Sequence, residues 1–400
     1  MSKKIIIGII VIALISSIGT IVGLCFAIGF DSKTAGNLTR LIGAMRFIES
    51  QYVQEVDEET LINGAISGMV RSLDDPHSIY LEPRLYNLLK FETSGSFGGI
   101  GVYMGFKKEG GVYILGVIPG SPGAKVGLKA GDSILAVDSK KIEEIDPAEV
   151  ALKIRGEIGT NVELLIHREG EEDKTYTITR DAIKMQTVAG KMLDAREGYI
   201  RISNFSENTG EDFKDTLTAL ENQGMKGLIL DLRQNPGGLI TSCVEVAQEI
   251  VPAGTIVSII KRNGDKEVYT SNLKESKFPI VVLIDKNSAS ASELLSGALQ
   301  DTKAALIVGE TSYGKGSVQT VVPMSHDDGL KITIAKYYTP LGRTIDGTGV
   351  VPDVEVILEN PLHISHGLNE VNPDDLQLQT AEELLTKQID AGKILFDKES

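Results

Sequence analysis

The apolar run Ile280–Ile284, followed at once by Asn287-Ser288-Ala289-Ser290-Ala291-Ser292-Glu293, constrains this chain more than any other stretch. A short, wholly aliphatic run reads as a strand buried on both faces, and Glu293 to Gln300 reads as the helix that follows. The alternation recurs. Tyr199–Ile202 precedes a helix over Asp212–Gln223. Gly227–Leu232 precedes the loop Arg233-Gln234-Asn235-Pro236-Gly237-Gly238 and a helix over Thr241–Ile250. Ala305–Val308 repeats the strand after the serine-bearing helix. Doubly buried strands separated by helices predict parallel βαβ units. Ligand sites in such sheets lie beyond the carboxyl ends of the strands, where the Pro236 loop and the Ser290 turn both fall.

The chain has 400 residues, enough for two or three domains with cores of their own. Its net charge of −15 argues against a nucleic-acid binder, which needs a basic footprint. Cys25 sits in the apolar N-terminal run and Cys243 in a core-like helix, so no internal disulfide is expected. His77, His167, His326, His363 and His366 stand at no metal-ligand spacing; neither a metal nor a cofactor is expected.

Lys3 and Lys4 precede an uncharged run from Ile5 to Phe30, long enough to cross a ~30 Å hydrocarbon layer. Lysines on the short side predict a cytoplasmic N-terminus and an exported bulk. The run exceeds a usual signal-peptide core of ~7–15 residues, which favours an uncleaved anchor over residues 1–30. Residues 37–90 carry apolar residues at helical spacing (Leu41, Met45, Ile48; Leu61, Ile66, Met69), interrupted at Leu73-Asp74-Asp75-Pro76. That region reads as a packing or self-association element, so a homo-oligomer is one expectation.

From residue 91 to 183 the texture changes to short strands and Gly-rich turns. Gly98-Gly99-Ile100-Gly101 opens a strand, Gly110-Gly111 marks a hairpin, and Gly131-Asp132-Ser133-Ile134 leads into another strand. Pro147 begins a helix through Ile154. In this order the elements resemble a PDZ domain. The resemblance implies that the backbone around Gly98, Gly99, Ile100 and Gly101 holds a peptide's terminal carboxylate while the peptide adds a strand to the sheet edge. Arg155 either reads that carboxylate or is a surface charge; the sequence does not decide.

Ser290 has two readings. With Glu293 three residues on, it has the spacing of a helix cap. At a strand-to-helix turn it can also be a nucleophile, beside N–H groups that favour developing negative charge. Lys315 tips the balance. Gly309-Glu310-Thr311-Ser312-Tyr313-Gly314-Lys315-Gly316 approaches a phosphate-binding loop but lacks the hydroxyl after the lysine. A strand pattern, Ser317–Val322, follows where that loop needs a helix. A glycine-flanked lysine in an apolar pocket instead loses its proton readily and can activate a serine. Gln319 lies an even number of residues beyond it, on one face of a strand, where it can orient the amine.

Ser-Ala-Ser-Ala-Ser-Glu, Ala298-Leu299-Gln300-Asp301 and Gly-Lys-Gly-x-Val-Gln resemble the carboxyl-terminal processing (tail-specific) serine peptidase family, as does the loop from Asp231 to Gly238. The resemblance implies Ser290 as nucleophile, Lys315 as general base, Gln319 as its partner and Asp301 as a carboxylate sometimes counted in the relay. Backbone N–H groups of Ala291 and of Gly237 or Gly238 would form the oxyanion hole. It also implies an α/β multidomain protein: N-terminal transmembrane helix, helical region, PDZ β-domain, an α/β crotonase/ClpP-like peptidase core over 190–358, and a helical tail over 359–400. The expected activity is endopeptidase cleavage of exported proteins recognised by their C-termini. A PDZ adaptor on an inactive scaffold and an acyl-CoA enzyme of crotonase type are the alternatives.

Overall fold

The computed structural model describes residues 32–106, 111–145, 147–358, 368 and 370–392. The expected anchor over residues 1–30 lies outside the described residues, as does Gly110. Among those described, no helix is long and apolar enough to cross a membrane.

The chain divides at Glu82 into two compact units. The first holds α1 (Ser32–Gln51), α2 (Glu58–Arg71) and the strand β1 (Ile79–Leu81). Glu58 and Glu59 in the first turn of α2 and Arg71 in its last complement the helix dipole. The helical reading of 37–90, interrupted at Leu73-Asp74-Asp75-Pro76, does not include β1, which follows that break. Pro76 and Pro83 disfavour helical backbone at the residues before them, which leaves a short extended segment between. His77 is a turn residue: the Asp75 carboxylate accepts its N–H at 3.0 Å and the Ser78 hydroxyl at 2.6 Å.

The second unit opens with α3 (Pro83–Ser94). A two-stranded ribbon of β2 (Ser96–Gly99) follows, pairing with a strand met later. Then come β3 (Val102–Phe106), β4 (Val112–Val117), the one-turn α4 (Pro122–Lys125), β5 (Ser133–Val137), β6 (Lys140–Lys141), α5 (Pro147–Ile154), β7 (Asn161–His167) and β8 (Lys174–Thr179). β9 (Asp181–Lys184) closes the ribbon with β2. Strands β3-β4-β5-β7-β8 form one antiparallel sheet, with β6 paired to β5. Ile100, Ile114, Ile134, Val150, Ile154, Leu164 and Ile178 fill its core, one side from alternate strand positions and one from α5.

The catalytic-type core runs through β10 (Val188–Met192), β11 (Glu197–Ile202), α6 (Thr209–Asn222), β12 (Gly227–Asp231), α7 (Ile240–Ile250), β13 (Gly254–Lys261), β14 (Lys266–Ser271), β15 (Ile280–Ile284), α8 (Ala291–Asp301), β16 (Leu306–Gly309), β17 (Ser317–Pro323), β18 (Gly329–Tyr338), β19 (Val354–Glu355) and α9 (Leu376–Ala391). The main sheet is ordered β10-β11-β12-β15-β16-β19. All its neighbours are parallel except the β10 edge. Its strands read as continuous apolar runs because both faces are covered. Ile200, Leu230, Val282 and Ile307 pack with residues of α6, α7 and α8. Their neighbours Tyr199, Ile229, Val281, Leu283 and Val308 pack against Leu378, Ala381 and Leu385 of α9. Each such aliphatic side chain contributes about 1.5–3 kcal/mol on burial. A second, antiparallel sheet runs β14-β13-β18-β17. Because β12, β15 and β16 are parallel neighbours, the loops that leave them emerge on one edge. Those are the loops of Gly237, Ser290 and Lys315.

Candidate active site

Ser290 sits between β15 and α8 with φ +55° and ψ −113°. A non-glycine residue at positive φ is strained, and it persists only where the surroundings over-determine it. Here they do. Ala289 donates its N–H to the Asn235 carbonyl at 3.0 Å, and the Ser292 hydroxyl donates to the same oxygen at 3.0 Å. The Ser288 hydroxyl donates to the Leu232 carbonyl at 2.9 Å. The serine turn is therefore stitched to the loop that leaves β12.

That loop approaches closely because it is glycine. Gly237 has φ +101°, and a Cβ there would lie 2.7 Å from the Ser290 Cβ and 2.9 Å from the Ala291 nitrogen. A Cβ on Gly238 would fall 2.1 Å from the Phe205 carbonyl oxygen. The Gly237 N–H donates to Asn235 Oδ1 at 2.8 Å, so it is already engaged within the loop.

Glu293 has a larger part than its spacing predicts. The side chain is completely buried and accepts four hydrogen bonds. Oε1 takes the Ser312 hydroxyl and the Gly314 N–H, each at 2.6 Å. Oε2 takes the N–H of Lys315 and that of Ser290, each at 2.8 Å. One carboxylate thus fixes the backbone of Ser290 against that of Lys315. The two cap and nucleophile readings are not exclusive: Glu293 holds the N-terminus of α8, and in doing so sets the position of Ser290.

Lys315 follows Gly314 at φ +91° and precedes Gly316, where a Cβ would lie 2.6 Å from the Asp346 backbone nitrogen. Gly347 donates its N–H to the Gly314 carbonyl at 2.8 Å. Ser290, Ala291, Gly237, Gly238, Lys315 and Gln319 all line one cavity of about 890 Å³. Gln319 donates from Nε2 to Ser317 Oγ at 2.8 Å and to Thr333 Oγ1 at 3.2 Å. Asp301 is not brought to this cavity. It ends the helix that Ser290 begins, some eleven residues or about 16 Å along the axis. Its carboxylate accepts the Leu341 N–H at 3.0 Å and pairs with Arg343.

Beneath the loop, Arg233 is buried against Asp231, with Nη2 to Oδ2 at 2.7 Å, and reaches Asp375 at 2.7 Å. Tyr199 donates to Asp231 at 2.7 Å. Burial alone would raise the Asp231 carboxyl, yet the Arg233 charge and hydrogen bonds hold it below its ordinary value.

A second cavity of about 500 Å³ is lined by Gly99, Ile100, Gly101 and Arg155. Gly98 is not among its lining residues; a Cβ there would meet the Gly156 carbonyl oxygen at 2.0 Å. The Arg155 guanidinium stacks 4.5 Å from the Phe97 ring centroid and 5.9 Å from that of Phe91.

Sequence reasoning assigned no part to Asn235 beyond its loop, or to Tyr337. The Asn-Pro-Gly-Gly turn signals the first. Nothing local signals the second, whose partners lie on distant loops.

The fold and cavity define a PDZ-bearing α/β protein with a serine turn and a glycine-flanked lysine on one sheet edge. Family models match as "Peptidase family S41" over residues 196–356, "PDZ domain" over 113–168 and "Activating protease CtpB N-terminal domain" over 29–84. The carboxy-terminal processing protease CtpB of Bacillus subtilis is 37% identical over 343 residues, covering 84% of this chain and 71% of that protein. The carboxyl-terminal-processing protease of Synechocystis is 38% identical over 329 residues, covering 80% and 76%. Among solved structures, a photosystem II D1 C-terminal processing protease is 30% identical with TM-score 0.49, covering 86% of this chain and 96% of that one. The chain belongs to peptidase family S41 and, within it, to the carboxyl-terminal processing peptidases. It is a serine-type endopeptidase.

Proposed function

We propose that Ser290 is the nucleophile, Lys315 its general base, and the N–H groups of Ala291 and Gly238 the oxyanion hole. The observation that carries this is the Glu293 carboxylate, which binds the N–H of both Ser290 and Lys315 at the rim of one cavity. Gly238 is preferred to Gly237 because the latter's N–H already serves Asn235. The neutral Lys315 amine takes the Ser290 Oγ proton as that oxygen attacks the scissile carbonyl carbon. The oxyanion is held by the two N–H donors, each worth several kcal/mol in such sites. The ammonium then returns the proton to the departing amine, and water releases the acyl group by the same route. Gln319 uses both N–H bonds on Ser317 and Thr333, which leaves Oε1 to accept from the lysine. Asp301 braces the Leu341–Arg343 loop and touches no reacting atom.

The PDZ cavity captures a substrate's C-terminus through the N–H groups from Gly99 to Gly101, with Arg155 beside them. Gly98 gives that loop its close packing on Gly156. Residues 5–30 anchor the protein with its catalytic part outside the cytoplasm, and the N-terminal helices associate with a second copy. No observation favours an inactive adaptor. Purified Ser290→Ala and Lys315→Ala proteins are expected to keep the wild-type thermal transition and lose cleavage of an unstructured peptide by more than about 10³-fold. Wild-type turnover by folded Lys315→Ala would end the Ser–Lys assignment.

A further inference from the structure

We propose that Tyr337 is a positioning residue that sets the spacing between Ser290 and Lys315. The inference rests on the Ser–Lys reading and extends it. Tyr337 is the last residue but one of β18, is buried, and forms part of the cavity wall. Its hydroxyl donates to the Ser290 carbonyl at 3.1 Å and also contacts the Lys315 carbonyl. Its own N–H donates to the Gly316 carbonyl at 3.1 Å. One side chain therefore touches the carbonyls of both residues whose N–H groups Glu293 holds. A phenol has a single proton to give, so the two carbonyl oxygens share one donor and both lie within reach of the same oxygen atom.

The hydroxyl remains a donor throughout the working range. Burial, then Glu293, Cys243 and Asp346, push its ionisation well above the ordinary value. Removing the hydroxyl leaves the ring and its packing but frees the two carbonyls from their common partner. The Lys315 loop is then held to the Ser290 turn by Glu293 and, two residues farther back on each side, by the Tyr313 N–H on the Ser288 carbonyl at 3.0 Å. Proton transfer needs heavy atoms within hydrogen-bond reach, and an error near 1 Å costs about 100-fold.

The test is the rate at which a fluorophosphonate probe labels Ser290, followed against pH in the full chain. The probe needs the activated hydroxyl but no PDZ-bound tail. Tyr337→Phe is expected to label about 10- to 100-fold more slowly, with the pH midpoint displaced, while affinity for a C-terminal peptide is unchanged. 4-Aminophenylalanine at position 337 keeps a para donor and is expected to restore labelling to within about threefold. Ile307→Val, in the core away from the cavity, serves as a stability control; it should lower the thermal midpoint and leave the labelling profile alone. Should Tyr337→Phe fail to fold, the aminophenylalanine protein decides by itself: slow labelling overturns the proposal. So does wild-type labelling by Tyr337→Phe when Lys315→Ala is inert. Wild-type labelling by Lys315→Ala would instead defeat the base assignment.

Discussion

At the scale of single residues, Glu293 carries more than any side chain that reacts. A carboxylate offers two oxygens, and each here accepts two donors. Glu293→Gln keeps one acceptor oxygen and turns an NH₂ toward two donors. A buried donor left without a partner costs about 1–3 kcal/mol. The variant is expected to lose at least about 2 kcal/mol in urea denaturation. Its peptidase rate should fall about 100-fold, even well below its unfolding temperature, because the Ser290 and Lys315 backbones separate. A wild-type rate would show that the clamp is only structural. Asp301 makes the contrast. Asp301→Asn keeps an acceptor for the Leu341 N–H but gives up the charge and turns an NH₂ toward Arg343, whose side chain is 45% exposed while that of Asp301 is 2% exposed. The loss should fall on stability, about 1–3 kcal/mol, and because Asp301 lies off the cavity turnover should fall less than about tenfold. A loss of 1,000-fold would return Asp301 to the reaction itself.

At the scale of elements, α9 is bound to the sheet by groups whose charges oppose one another. Arg233 ties its N-terminus at Asp375 and Gln377. Farther along, Thr386 contacts Glu197. Burial raises the Glu197 carboxyl, and burial with Glu197, Asp194 and Asp375 nearby raises that of Glu382. A carboxyl with a raised folded value binds more protons folded than unfolded, so stability falls as pH rises through the window above the ordinary glutamate value. Asp231 has the opposite sign: its stabilisation is present above the unfolded value and lost as pH falls through the folded one. The Glu197→Gln, Glu382→Gln double variant should therefore gain on the wild type in urea midpoint from pH 5 to pH 7.5. A constant difference would refute the linkage. The sheet beneath α9 was legible in the sequence because its strands are aliphatic on both faces, a pattern little else produces. The place of Ser290 and Lys315 at strand ends was legible because glycines and small residues mark such loops. Tyr337 was not, since a strand tyrosine looks the same whether it faces solvent or a catalytic loop. Strand β1 was missed because the helical spacing on either side of it hid a segment bounded by two prolines.

At the scale of the whole peptidase unit, the cavity beside Gly99–Gly101 and the cleft of Ser290 share a wall. Met185 lines both. A substrate held by its terminal carboxylate beside Gly99–Gly101 can run past Met185 toward Ser290 without leaving the surface. Most of the binding energy then comes from a part of the substrate that does not react. On the reading proposed above, the carboxylate would accept backbone N–H groups and face Arg155, which lies over the Phe97 and Phe91 rings. Hydrogen bonds to a charged group contribute about 1.5–3 kcal/mol, or roughly 10- to 150-fold in affinity. Amidating a peptide's C-terminus removes the charge and one acceptor while leaving the scissile bond untouched. The amidated peptide should show kcat/KM lower by about that factor, with most of the change in KM. Arg155→Ala should narrow the gap by slowing only the free acid. Equal kcat/KM for acid and amide would mean that Ser290 receives its substrates without the tail cavity.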